Sequence, residues 1–102
     1  MINPLVLKEA VKYQTGSIVS KEFVKKPTGT ITLFAFDAGQ GLNEHRAPYD
    51  ALVMILDGKA EVTLAGKKYF LEEGEVLLMP ADKPHALFAK QKFKMMLVMI
   101  KS

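Results

Sequence analysis

Beyond a short N-terminal arm, apolar and polar residues alternate along most of the chain with a period of two, the repeat of side chains that point to opposite faces of a β-strand. The stretch "GTITLFAF", residues 29–36, sets Ile31, Leu33 and Ala35 against Thr30, Thr32, Phe34 and Phe36. Both faces carry apolar groups, so this strand needs cover on both sides. "KAEVTLAG", residues 59–66, puts Ala60, Val62 and Leu64 on one face and Glu61 and Thr63 on the other, the pattern of a strand with one wet side. In "ALVMILDGKAEVTL", residues 51–64, two strand-like runs meet at Asp57-Gly58. That pair suits the positive φ angles of a type I′ turn, and a tight hairpin is predicted there. Ala65-Gly66 and Glu73-Gly74 predict two further turns, on either side of "KKYFL" and before "EVLLM". "PADKPH", residues 80–85, reads as a loop, because its prolines lack backbone donors and restrict the residues before them.

"HALFA" and "FKMMLVMI" complete a series of strands and turns at intervals of about 8 to 12 residues, which predicts an all-β sandwich or barrel. In the last run, residues 93–100, every position except Lys94 is apolar. One face can fill a core, while the other requires a cover from the arm or from a second subunit, so a homodimer is expected. The arm itself, "NPLVLKEAVKY", offers a short helical start with Asn3 as cap and Pro4 at the first helical position. It is too short to stand by itself, and an extended segment docked elsewhere is the alternative. The expected organisation is one domain, with an arm over residues 1–16 and a β-barrel over residues 17–102.

A chain of 102 residues can bury one core but not two. Its composition, 49% hydrophobic and 25% charged, is that of an ordinary globular domain. The net charge of +3 leans basic, yet the lysines are scattered among glutamates and Arg46 is the single arginine. Nucleic-acid surfaces concentrate Arg and Lys on one face, so no nucleic-acid partner is expected. The chain has no cysteine, which excludes disulfides, thiolate metal sites and cysteine nucleophiles. No apolar run approaches about 18 residues and no basic leader precedes an apolar core, so no membrane association and a cytoplasmic location are expected.

The candidate chemistry lies in two histidines, His45 and His85, each following a turn-rich stretch, "GQGLNE" and "MPADKP". Gly39 is followed after five residues by His45-Arg46-Ala47, after three more by Ala51, and after six more by Gly58. Gly74 is followed after five residues by Pro80, then by Asp82, His85 and Ala89. This pattern resembles the two motifs of the small single-domain cupins of the conserved-barrel, RmlC-like type. The first motif has His-x-His, then glutamate, between its glycines; the second has Pro-x-Gly, histidine and asparagine after its glycine. The resemblance covers roughly residues 30–100 and implies the cupin double-stranded β-helix, a jelly-roll barrel. In that family three imidazoles and a carboxylate converge inside the barrel on a divalent ion such as manganese, iron, nickel or zinc. Here Ala47 and Ala51 stand at two of those places, and alanine has no donor atom. With His45 and His85 alone, the resemblance implies at most a weakly bound divalent transition metal, and no other cofactor is expected.

Asp50 lies one position before the missing carboxylate, and a shift of one residue turns a strand side chain to the other face unless a bulge intervenes. Glu44, adjacent to His45, points away for the same reason. Met54 and Met79 are placed at the cavity; thioether sulfur would favour copper(I), but core packing is the preferred role for them and for Met95, Met96 and Met99. The expected ligand pocket therefore comprises His45, His85, Ala47 and Ala51, walled by Phe34, Phe36, Met54, Met79 and Phe88. Burial and mutual repulsion would lower the histidine pKa values and leave neutral imidazoles able to hydrogen-bond a small polar ligand or act as acid and base. No phosphate-binding glycine loop, nucleophile elbow or paired-carboxylate spacing is present, and Ser17 and Ser20 have no evident histidine partner. The leading expectation is a barrel that binds a small molecule. The alternatives are a metal-dependent enzyme of dioxygenase or isomerase type with an incomplete two-histidine site, and a purely structural, dimer-building protein.

Overall fold

The computed structural model describes residues 3–101. It is all-β apart from one 3-10 turn at Leu7–Glu9. The strands are β1 (Ile18–Lys26), β2 (Gly29–Phe36), β3 (Gly41–His45), β4 (Asp50–Leu64), β5 (Lys67–Glu72), β6 (Val76–Met79), β7 (His85–Phe88) and β8 (Phe93–Ile100). All pair antiparallel in one curled sheet of order β1-β2-β8-β4-β7-β3, with β5 and β6 also paired to β4. The inward face closes on a core in which Phe36 and Phe93, opposite each other on β2 and β8, stack with centroids 4.6 Å apart. Val53, Ile55, Val62 and Met95 fill the space around them and are almost completely buried.

The predicted hairpin at Asp57-Gly58 does not form. β4 runs on through both residues for 15 positions and connects the two halves of the barrel. Up to Gly58 it pairs with β8 and β6; from Lys59 it pairs with β5, and from Glu61 with β7. A register irregularity between Ile55 and Asp57 and a positive φ of 76° at Gly58 supply the bend. The local chemistry that suits a turn serves instead to steer a continuous strand from one half of the barrel to the other, because long-range partners are available on both sides. The other two turns stand: Ala65 and Gly66 join β4 to β5, and Gly74 lies between β5 and β6.

The arm covers part of the outer face. No helix starts at Asn3-Pro4; the 3-10 turn has Val6 at its N-cap with no side-chain cap bond. The arm docks through Leu7, Ala10, Val11 and Tyr13 onto a second cluster built around Leu33, Ala35 and Leu56. β2 is thereby covered on both faces, as its composition requires. The Tyr13 hydroxyl donates a 2.8 Å hydrogen bond to Asp57 Oδ2, and the Lys92 and Lys94 ammonium groups lie 4.8 and 4.9 Å from its ring centre. Burial, with the Asp57 carboxylate beside it, pushes the Tyr13 hydroxyl pKa up, so the donor keeps its proton. Among the described residues no helix is long and apolar enough to cross a membrane.

Candidate functional site

β3 and β7 are adjacent strands, and their register places His45 directly opposite His85. An irregularity between Leu42 and His45 makes this possible. Without it, the odd separation of three residues would turn His45 to the face opposite Leu42. The segments beside the two rings are tied together by one backbone bond, Asp82 N donating to Ala47 O at 2.8 Å, and one to a side chain, Ala81 N donating to Asp50 Oδ1 at 2.8 Å. Asp82 has φ +66°, a left-handed conformation in which Asp is better tolerated than most non-glycine residues.

The hydrogen bonds of the rings determine their proton arrangement. His45 Nδ1 lies 2.8 Å from Asn43 O, and His85 Nδ1 lies 3.1 Å from Lys83 O. A carbonyl oxygen only accepts, so both Nδ1 atoms carry hydrogen. Each ring thus turns its Nε2 inward, and the two Nε2 atoms meet at 3.0 Å with the rings inclined at 71°. Two facing lone pairs at that distance repel, so the pair is poised to share a hydrogen-bond donor or an ion placed between them. His85 is 6% exposed, whereas His45 sits exposed at the rim. Burial drives the His85 pKa below the ordinary imidazole value, the Lys83 carbonyl opposes the shift, and the charge of His45 adds to the lowering.

Behind the rings lies a cavity of about 120 Å³. Of the residues expected around it, Phe34, His45, Ala47, Ala51, Met79 and His85 line it. Phe36, Met54 and Phe88 do not, and each is a correction. Phe36 has the inward parity of Phe34 but lies deeper, stacked on Phe93 and fully buried. Met54 is three residues from Ala51, an odd step that turns it to the outer face, where it packs near the arm. Phe88 is three residues from His85 and is turned outward in the same way, 41% exposed. The wall is completed by Leu42, Leu87, Met95, Leu97 and Met99, which the sequence reading did not assign to the pocket. Even-numbered steps would have found four of them: Leu87 is two from His85, and Met95, Leu97 and Met99 share one face of the last strand.

A cupin-domain family model matches residues 32–101. The chain belongs to the cupin family. Its fold superposes on a conserved protein of unknown function from Streptococcus pyogenes with TM-score 0.94 and 37% identity, over 100% of this chain and 90% of that one. A cupin superfamily protein from Desulfitobacterium hafniense gives TM-score 0.94 at 29% identity, over 100% and 94% of the two chains. A cupin 2 conserved barrel domain protein from Leptotrichia buccalis is 43% identical with TM-score 0.90, over 93% of this chain but 46% of its own. No curated protein matches the chain.

Whether this cupin retains a metal centre is decided by its donor atoms. The two Nε2 atoms fit one part of such a centre. Nitrogens bound at about 2.1 Å to one ion and at right angles to each other lie about 3 Å apart, and the carbonyl partners at Nδ1 hold both rings in the ligating tautomer. The rest does not fit. Ala47 and Ala51 line the cavity with methyl groups, the Asp50 carboxylate is directed to Ala81 N, and Glu44 is exposed. Among the described residues no group of three or more His, Cys, Asp or Glu side chains is arranged to hold an ion. The four-ligand centre of the family is not assembled here.

Proposed function

We propose that this cupin binds a small, largely apolar molecule in the barrel, with one polar group of the ligand held by the Nε2 atoms of His45 and His85. The observation that carries the reading is the convergence of those two nitrogens, 3.0 Å apart, on a cavity otherwise walled by hydrocarbon and thioether groups. Pockets of this kind take affinity from apolar burial and orientation from a few polar atoms. The cavity of about 120 Å³ is comparable to the roughly 150 Å³ that accommodates benzene in an apolar protein interior. A six-carbon ring or short branched chain fills it, and any larger part of the ligand extends past the rim at His45. A hydroxyl or carboxylic acid on the ligand can donate a hydrogen bond to either Nε2.

The test uses protein labelled with nitrogen-15 in its histidines and titrated with benzene, phenol, benzoate and 1-butanol. Phenol or benzoate is expected to shift both Nε2 resonances more than benzene does, and its affinity is expected to fall about tenfold in the His45→Ala, His85→Ala double variant. Bound probes that leave both Nε2 signals unmoved, or a double variant that binds phenol as tightly as the parent, would refute the reading.

A further inference from the structure

The cavity behind the histidines carries sulfur on both sides of the place where the family pattern has a carboxylate. Ala51, at that place, pairs in register with Met79 on β6 and with Met99 on β8. Residues directly opposite each other across a ladder share a face, and both methionines line the same cavity as the two rings. The alanine between them ends in a methyl group and leaves room above it. A methionine side chain has three rotatable bonds and adapts to such room, so either thioether can lean over Ala51 toward the rings.

The rings supply a fixed pair of nitrogen donors. Carbonyl oxygens hold both Nδ1 atoms, which leaves the two Nε2 lone pairs facing each other at 3.0 Å. A cation shared between lone pairs that repel each other turns the repulsion into two bonds. Their spacing is that of neighbouring corners of a coordination shell rather than of its opposite ends, so further donors have to come from the cavity side. The donors on that side are thioethers.

Charge and softness then select the ion. Two imidazoles and two thioethers are all neutral, and no carboxylate joins them, because Asp50 is directed to Ala81 N and Glu44 is exposed. The cost of moving an ion from water into an apolar cavity grows with the square of its charge, so neutral donors discriminate against dications. Thioether sulfur is soft and favours copper(I) over zinc and nickel, while alkali cations require oxygen donors.

We propose that the cavity is a copper(I) site, with the ion held by Nε2 of His45 and His85 and by Sδ of Met79 and Met99. It goes beyond the binding of an apolar molecule, in which the sulfurs are only wall, and the ion and the polar group of such a ligand compete for the same two nitrogens.

Protein labelled with carbon-13 in the methionine methyl groups and nitrogen-15 in the histidines is titrated with copper(I) under nitrogen, and affinity is read by competition with bicinchoninate. A single equivalent is expected to shift both Nε2 signals and the Met79 and Met99 methyl signals, and to leave those of Met54 and Met96, which pack on the arm side of the sheet, in place. Copper(I) is expected to bind at least about a thousandfold more tightly than zinc. The Met79→Leu, Met99→Leu double variant conserves volume, so its circular dichroism is expected to match the parent, and its copper(I) affinity to fall about tenfold or more. Failure to compete with bicinchoninate, bound copper(I) that leaves the Met79 and Met99 methyl groups unmoved, or a double variant that binds it as tightly as the parent overturns the proposal. So does zinc bound as tightly as copper(I). A protein that takes phenol at the rings but not copper(I) overturns this proposal alone, and one that takes copper(I) but not phenol overturns only the apolar-ligand reading.

Discussion

Replacing Gly58 by alanine separates a turn at Asp57-Gly58 from the continuous strand that is observed. In a two-residue hairpin loop the cost would be that of a left-handed alanine, about 1 to 2 kcal/mol. In the structure Gly58 carries φ +76° where β4 crosses between the halves of the barrel, and its missing Cβ faces the segment at Lys92 and Phe93. A Cβ there would run into the Lys92 carbonyl oxygen and meet Phe93 Cα at 3.0 Å and Phe93 Cβ at 3.2 Å. These are main-chain atoms and a Cβ beside the stacked Phe36–Phe93 pair, so no flexible side-chain tip can yield. Relief requires β4 and β8 to part, and overpacking of this kind adds about 1 to 3 kcal/mol. The total is about 2 to 5 kcal/mol, a large share of the stability of a domain this size. At about 4 to 8 °C per kcal/mol, the melting temperature is expected to fall by about 8 °C or more. Urea unfolding followed by circular dichroism measures the loss directly, at an unchanged m-value. A loss below about 1 kcal/mol would mean that β4 and β8 do not approach as described, and the account of the crossing would be wrong.

The lowered pKa of His85 has a consequence for stability. The unfolded chain takes up a proton near pH 6.5 that the folded ring resists, so stability from this group is complete above that pH and declines as the pH falls below it. Urea midpoints at pH 7.5 and 5.5 are expected to drop more for the wild type than for His85→Gln, and equal drops would contradict the burial assigned to this ring. A second expectation concerns the alanines: because Ala47 and Ala51 line the same cavity as the histidines, Ala47→His with Ala51→Glu supplies two further donors. Calorimetric titration with zinc or nickel is expected to find wild-type affinity no tighter than micromolar and at least about a hundredfold gain in the double variant. A folded double variant with no gain would show that these positions do not face the rings.

Much of this protein was determined by local sequence. The period-two runs mark strands, and the spacings of Gly39, His45, Gly58, Gly74, Pro80 and His85 carry enough of the cupin pattern to identify the barrel and the two rings that meet in it. Alternation also fixes which residues share a face, so Phe34, Ala51 and Met79 could be placed beside the histidines, and the misplacement of Met54 and Phe88 came from odd steps rather than from missing information. What only the tertiary structure decided depends on partners distant in the chain. Asp57-Gly58 has the chemistry of a turn, but β8 and β6 on one side and β5 and β7 on the other draw it into a continuous strand. The depth of Phe36 follows from Phe93 on another strand, and the arrival of His45 opposite His85 depends on an irregularity in β3 that resets its parity. The arm's position, and hence which half of the outer face stays bare, rests on Tyr13 reaching Asp57 across 44 residues of sequence. Side-chain direction is a property of neighbouring residues, whereas strand pairing and bulges are chosen by competition among all the available edges, and that competition is resolved only in the folded chain.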